Sequence, residues 1–118
     1  MPLVVYHYPN CSTCKKALAW LRAEGIAYQP IDIVQQPPAA SVLARAAKLG
    51  ALPTRKLFNV AGESYRAGNY KAKLATMTDA EAYAALAADG KLIKRPLALD
   101  KDVALVGFDE AAWRAALT

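Results

Sequence analysis

The sequence predicts an α/β protein with one mixed, four-stranded sheet covered by helices. Three observations carry that expectation. A short apolar strand pattern, a helix-period pattern and a second strand pattern follow one another within residues 3–34. An alanine-rich stretch then carries helical signals with little strand character. Two short apolar runs finally flank an aspartate-containing turn ahead of a last amphipathic segment.

"LVVYHY" (residues 3–8) is β-branched and aromatic and stops at Pro9, as a buried strand would. Cys14, Ala17, Leu18 and Leu21 then recur at the i, i+3, i+4, i+7 spacing of one helix face, with Gly25 as the stop. "YQPIDIV" (28–34) alternates as a strand, and Pro30 suits an edge position. Strand, helix, strand in this order predicts a right-handed crossover with two parallel strands side by side. Pro37 and Pro38 open a helix over "AASVLARAAKL" that Gly50 closes.

Residues 51–77 carry the weakest signals: "TRKLF" reads as one helical turn, "NVAGESYRAGNY" as loop, and "YKAKLATM" as a short helix. Thr78 and Glu81 form a capping box for "DAEAYAALAAD", which Gly90 ends. "KLIKRPLALD" and "DVALVGF" read as an antiparallel hairpin turning at Asp100–Asp102. Asp109 N-caps the last helix, with Phe108 and Trp113 at hydrophobic-staple spacing. The summed order, βαβ, helices, ββα, is the thioredoxin arrangement. It predicts a single domain over residues 1–118 with a helical insertion at about 37–89.

At 118 residues the chain suffices for one core. Its 55% hydrophobic and 21% charged content is that of a globular protein rather than a disordered one. A formal charge of +5 suits anionic partners: nucleic acid, phosphate or arsenate, glutathione, or an acidic protein surface. The cations fall in short pairs rather than a long basic run. No stretch reaches the ~20 apolar residues of a membrane span, and the N-terminal residues do not read as a signal peptide, so the expected compartment is the cytoplasm.

The chain's two cysteines, Cys11 and Cys14, sit in "YPNCSTCKK" where strand passes into helix. A lasting structural disulfide does not suit a reducing cytoplasm. A zinc site built on Cys11, Cys14 and His7 needs a carboxylate as fourth ligand, and no metal is expected. Inert burial remains an alternative, above all for Cys14. Thiol exchange is the reading that accounts for the junction: Cys11 at the helix N-terminus meets unpaired N–H groups and the positive end of the dipole, and Cys14, one turn on, faces inward as a resolving thiol. Lys15 and Lys16 add nearby positive charge. His7 alternates with Tyr6 and Tyr8 and reads as a packed strand residue.

Arg95–Pro96 is the second informative point, since proline interrupts a strand ladder. It marks a strand start or bulge, or else a cis peptide, which a thioredoxin-like fold sets opposite its active cysteine. Arg95 would then direct its guanidinium towards the thiolate or an incoming anion.

"YPNCSTCKKALAWL", "QQPP", "RKLFNVAGESYRAGNYKAKL" and "DGKLIKRPLALD…VALVGF", in this order over nearly the whole chain, resemble the arsenate reductase-like (ArsC) family in its Spx-, MgsR- and YffB-type branch. The resemblance implies a thioredoxin-like fold, Cys11 as reactive thiol, and Cys14 as its intramolecular disulfide partner, as in Spx-type regulators. It implies Arg95 as the arginine beside the active cysteine and Pro96 as the cis-proline, in a substrate-binding position with Lys15 and Asn59. Arsenate reductases of the family hold the oxyanion with two further arginines. Here the middle position falls at Asn59, and "VALVGF" carries none, although Arg55 and Arg66 lie nearby. Each charge-assisted contact contributes ~1.5–3 kcal/mol, so the resemblance points away from efficient arsenate reduction.

Three functions follow as expectations. The first is a cytosolic thiol–disulfide oxidoreductase, with no bound cofactor and with glutathione, or a thioredoxin-type protein, as thiol partner. The second is a redox-sensing regulator that binds the C-terminal domain of the RNA polymerase α subunit. The third is a glutathione-dependent arsenate reductase. No segment reads as a base-reading element, so direct DNA binding is not expected.

Overall fold

Two parallel strands and an antiparallel hairpin form the centre of the molecule, seen in a computed structural model that describes residues 3–118. Strand β1 (Leu3–His7) runs parallel to β2 (Tyr28–Asp32), and helix α1 (Ser12–Ala23) crosses between them. Strands β3 (Leu97–Leu99) and β4 (Ala104–Val106) complete the sheet antiparallel, in the order β2-β1-β3-β4. Pro30 therefore lies on an edge strand, where its missing N–H breaks no ladder. Helix α6 (Glu110–Leu117) ends the chain. Between β2 and β3 lie α2 (Ala40–Leu49), α3 (Glu63–Ala67), α4 (Tyr70–Lys73) and α5 (Asp79–Ala88), with 3-10 turns at Thr54–Leu57 and Gly90–Leu92.

The period-2 alternation of the strands divides the interior into two cores. Leu3, Val5 and Ala98 face α1 and α6, where they meet Ala17, Leu21 and Trp113. Leu97 and Leu99 face the other way and meet Leu43 and Ala46 of α2 and Leu86 of α5. The architecture is thus a thin mixed sheet covered on both faces, the thioredoxin-like arrangement with helices added between its halves.

Local chemistry sets most of the boundaries. The Thr78 hydroxyl accepts from the Glu81 amide while the Glu81 carboxylate accepts from the Thr78 amide, closing the capping box at α5. Asp109 accepts from the Ala111 and Ala112 amides at the start of α6, and the Phe108 and Trp113 rings meet at 5.1 Å. At the end of α1, Gly25 takes φ +71°, the left-handed region, and the Ile26 amide bonds back to the Leu21 carbonyl. Gly90 answers a different need: a Cβ there would lie 1.9 Å from the Ile33 carbonyl oxygen.

Five segments differ from the sequence reading. The strand expected over 102–108 is confined to Ala104–Val106. The strand expected over 91–100 is confined to Leu97–Leu99. Its first part turns as a 3-10 helix and then pairs with the insertion, through a Phe58–Ile93 bridge and a Lys94 amide to Leu57 carbonyl bond of 2.7 Å. The strand expected over 28–34 ends at Asp32, whose carboxylate turns the chain by accepting from the Val34 and Gln35 amides. The stretch read as loop contains α3, bracketed by Gly62 and Gly68, with the Tyr65 ring against Phe58. The helix expected over 70–77 is regular only through Lys73.

Candidate thiol site

The turn between β1 and α1 builds the site. The Cys11 amide donates to the Tyr8 carbonyl at 2.9 Å, which folds Pro9 and Asn10 outward and leaves Cys11 in extended conformation as the N-cap of α1. Serine, threonine or aspartate usually fills this place; here a sulfur does the same work. The Cys14 amide donates to the Cys11 Sγ at 3.4 Å, so one orphan N–H of the helix points at the first thiol. Cys14 is 1% exposed on the inner face of α1, and its Sγ accepts from the Tyr8 amide at 3.5 Å. Both thiols are free, and Cys11 is half-buried.

These surroundings drive the two sulfurs apart in acidity. Burial opposes ionisation of Cys11 and is the largest single influence on it. The Cys14 amide and thiol, the Arg95 guanidinium and the Thr13 amide together outweigh it, and the thiol ionises below its ordinary range. Cys14 is pushed up to about 12, first by burial and further by its hydrogen bond to Cys11 and the charge there; the Tyr8 amide and Arg95 pull the other way. The arrangement therefore sets a more acidic, reachable sulfur beside a shielded one that keeps its proton past the ordinary thiol range.

Arg95 reaches this pair from the far half of the chain. The peptide bond between Arg95 and Pro96 is cis, and Pro96 is fully buried, its carbonyl accepting from the Gly107 amide at 2.9 Å. The guanidinium lies over the Tyr8 ring, 4.8 Å from its centroid, and donates to the Lys91 carbonyl at 3.3 Å. Tyr8 thus touches every part of the site: its carbonyl fixes Cys11, its amide faces Cys14 and its ring carries Arg95. Sequence reasoning took Tyr8 only as a strand residue. The available signal was its place as the last aromatic before the cysteine turn.

Of the residues named from sequence, Cys11, Cys14 and Arg95 come together here, and Pro96 follows Arg95 through the cis bond. Lys15 is exposed on α1, and its amide closes the first helical turn onto the Cys11 carbonyl. Asn59 lies in the turn that follows the Phe58–Ile93 bridge. Its amide donates to the Leu92 carbonyl at 2.8 Å and its carbonyl accepts from the Gly62 amide. His7 sits within β1, paired with Asp32. Among the described residues no three His, Cys, Asp or Glu side chains gather as metal ligands, and no helix is long and apolar enough to cross a membrane.

A thioredoxin-like fold with a helix-capping cysteine and a cis-proline defines the class. Within that class, the model of the ArsC family matches residues 6–116, and the chain belongs to that family. It is 43% identical to the uncharacterized protein YusI of Bacillus subtilis, over 93% of each chain. A global transcriptional regulator Spx of Lactiplantibacillus plantarum is 23% identical over 92% of this chain and 80% of its own length. The crystal structure of a possible arsenate reductase from Streptococcus mutans superimposes with a TM-score of 0.89 at 40% identity, covering 97% of both chains.

Proposed function

We propose that the protein is a thiol–disulfide oxidoreductase of the reducing cytoplasm in which Cys11 is the nucleophile and Cys14 the resolving thiol. The observation that carries this reading is the 3.4 Å bond from the Cys14 amide to the Cys11 sulfur, with Arg95 adding positive charge. The Cys11 thiolate attacks one sulfur of a partner disulfide. The partner's S–S bond breaks, its second sulfur leaves as a thiolate and takes a proton, and a mixed disulfide forms on Cys11.

Cys14 then gives up its proton to solvent and attacks the Cys11 Sγ, releasing the partner's remaining thiol. The net result is a reduced partner and a Cys11–Cys14 disulfide. Once Cys11 is in the mixed disulfide, its charge and its acceptor sulfur no longer hold the Cys14 proton, which favours this second step. Two molecules of glutathione return the pair to the dithiol and leave as glutathione disulfide. Arg95 stabilises the Cys11 thiolate and faces anionic groups of the thiol partner, with the Tyr8 ring beneath it.

The test is reduction of a small disulfide by the glutathione-coupled protein, with thiol trapping of the intermediate. Cys11→Ser is expected to abolish both turnover and the mixed disulfide, whereas Cys14→Ser lets the mixed disulfide accumulate. Unchanged disulfide reactivity in Cys11→Ser would end this reading.

The likeness to Spx supports a second reading, in which oxidation of the pair changes a surface that RNA polymerase α binds. A pull-down with the C-terminal domain of α, with and without oxidant, tests it, and no capture in either state removes it. The likeness to the S. mutans protein supports a third, arsenate reduction at Cys11 with Asn59 in the middle anion position. An arsenate-dependent coupled assay tests that, and a flat trace removes it.

A further inference from the structure

The turn Asn59–Gly62, closed by the Gly62 amide on the Asn59 carbonyl, holds Val60 on the surface at 60% exposure. Val60 stands at the meeting of three depressions. One of about 540 Å³ runs between it, Arg55, Lys71 and Met77. A second, of about 310 Å³, continues past Arg66, and a third, of about 220 Å³, passes Lys56 and ends at Lys94. An exposed apolar side chain is thus surrounded by Arg55, Lys56, Arg66, Lys71 and Lys94.

All five cations are exposed. Among the described residues the ion pairs are those of Arg114 with Glu24 and Glu110, so none of the five is neutralised by a carboxylate. The one carboxylate lining these depressions, Asp79, already accepts from the Thr54 hydroxyl at 2.7 Å. Such a concentration of unpaired positive charge around one apolar projection is complementary to negative charge flanking an apolar side chain.

We propose that this groove docks an extended acidic segment of a partner protein, with an aliphatic side chain against Val60 and carboxylates on the surrounding cations. A nucleic acid fits less well. Of the rings present, Phe58 is buried, and Tyr65 and Tyr70 pack on it and on each other at 5.6–6.3 Å rather than standing out as a stacking platform. Val60 has nothing to gain against phosphates. Lys94, at one end of the groove, directly precedes Arg95, the arginine that acts on Cys11, in the chain. In naming a partner for Cys11 the proposal rests on the oxidoreductase reading; docking itself does not.

Fluorescence anisotropy with a labelled, cysteine-free peptide EEDLEDE reads docking without any thiol chemistry. Comparison probes are its basic twin KKRLKRK, the variant EEDSEDE and an oligouridine strand. The acidic leucine peptide is expected to bind, to weaken with salt, and to lose about tenfold in affinity against Lys71→Glu. Replacing its leucine with serine, or Val60→Ser in the protein, is expected to weaken it further. No binding, equal binding of the basic twin, indifference to Lys71→Glu and Val60→Ser, or equally tight oligouridine binding abolished by Lys71→Glu would each overturn the proposal. Peptide docking with an inert Cys11 would instead remove the oxidoreductase reading and leave the groove standing.

Discussion

At the scale of single residues, Cys11 has three sources of stabilisation for its anion: amides at the start of α1, the Cys14 thiol and a guanidinium carried on Tyr8. They are separable by substitution. Arg95→Leu is expected to raise the pH midpoint of Cys11 alkylation and slow its reaction at neutral pH. Tyr8→Leu is expected to move the midpoint the same way, because the guanidinium loses the ring beneath it, while Tyr8→Phe keeps the ring and leaves it unmoved. Iodoacetamide trapping with mass-spectrometric assignment of the labelled cysteine checks all three. Cys11, Cys14, Arg95 and Pro96 were legible in the sequence because strand-to-helix spacing and an interrupted strand are local signals. Tyr8 was not, because its role is a contact with a residue in the far half of the chain.

At the scale of elements, caps and close backbone approaches fix where the helices begin and how the insertion meets the sheet. Thr78→Ala removes one side of the α5 capping box and is expected to cost about 1 kcal/mol of stability by urea titration. Gly90→Ala is expected to cost more, since its Cβ meets the Ile33 backbone rather than a movable side chain. The same midpoints measured for both variants check the order. Thr78–Glu81, Asp109 and Gly25 were readable because each acts on residues within one turn of itself. The bridge from Phe58 to Ile93 was not readable, since a pairing across the insertion leaves no periodicity behind. Helix α3 was hidden for a similar reason: five residues between two glycines are too few to show a 3.6-residue pattern.

At the scale of the molecule, two apolar layers on opposite faces of a four-stranded sheet carry the fold, and Cys14 lies in the shielded side of the thiol turn. Leu86→Ala, in the layer between sheet, α2 and α5, is expected to destabilise by ~2–5 kcal/mol in the same titration. The buried thiol couples stability to pH. Its folded value is raised to about 12, so above the ordinary thiol range the unfolded chain releases a proton that the folded chain retains. Stability of the reduced protein therefore falls as pH climbs through that window. Cys14→Ala removes this dependence, and its urea midpoint is expected to decline less steeply on the alkaline side than that of the parent. The lowered Cys11 value acts with opposite sign: its contribution is present at high pH and fades as pH falls through the folded value.

Whether the helix-capping sulfur is the ionised one is decided most directly by the pH dependence of alkylation, followed separately for each cysteine of the reduced protein. Modification confined to Cys11 near neutral pH, with a midpoint below that of a free thiol and with Cys14 unlabelled, is the predicted outcome. A Cys11 midpoint at or above that of a free thiol, or earlier labelling of Cys14, would contradict the account.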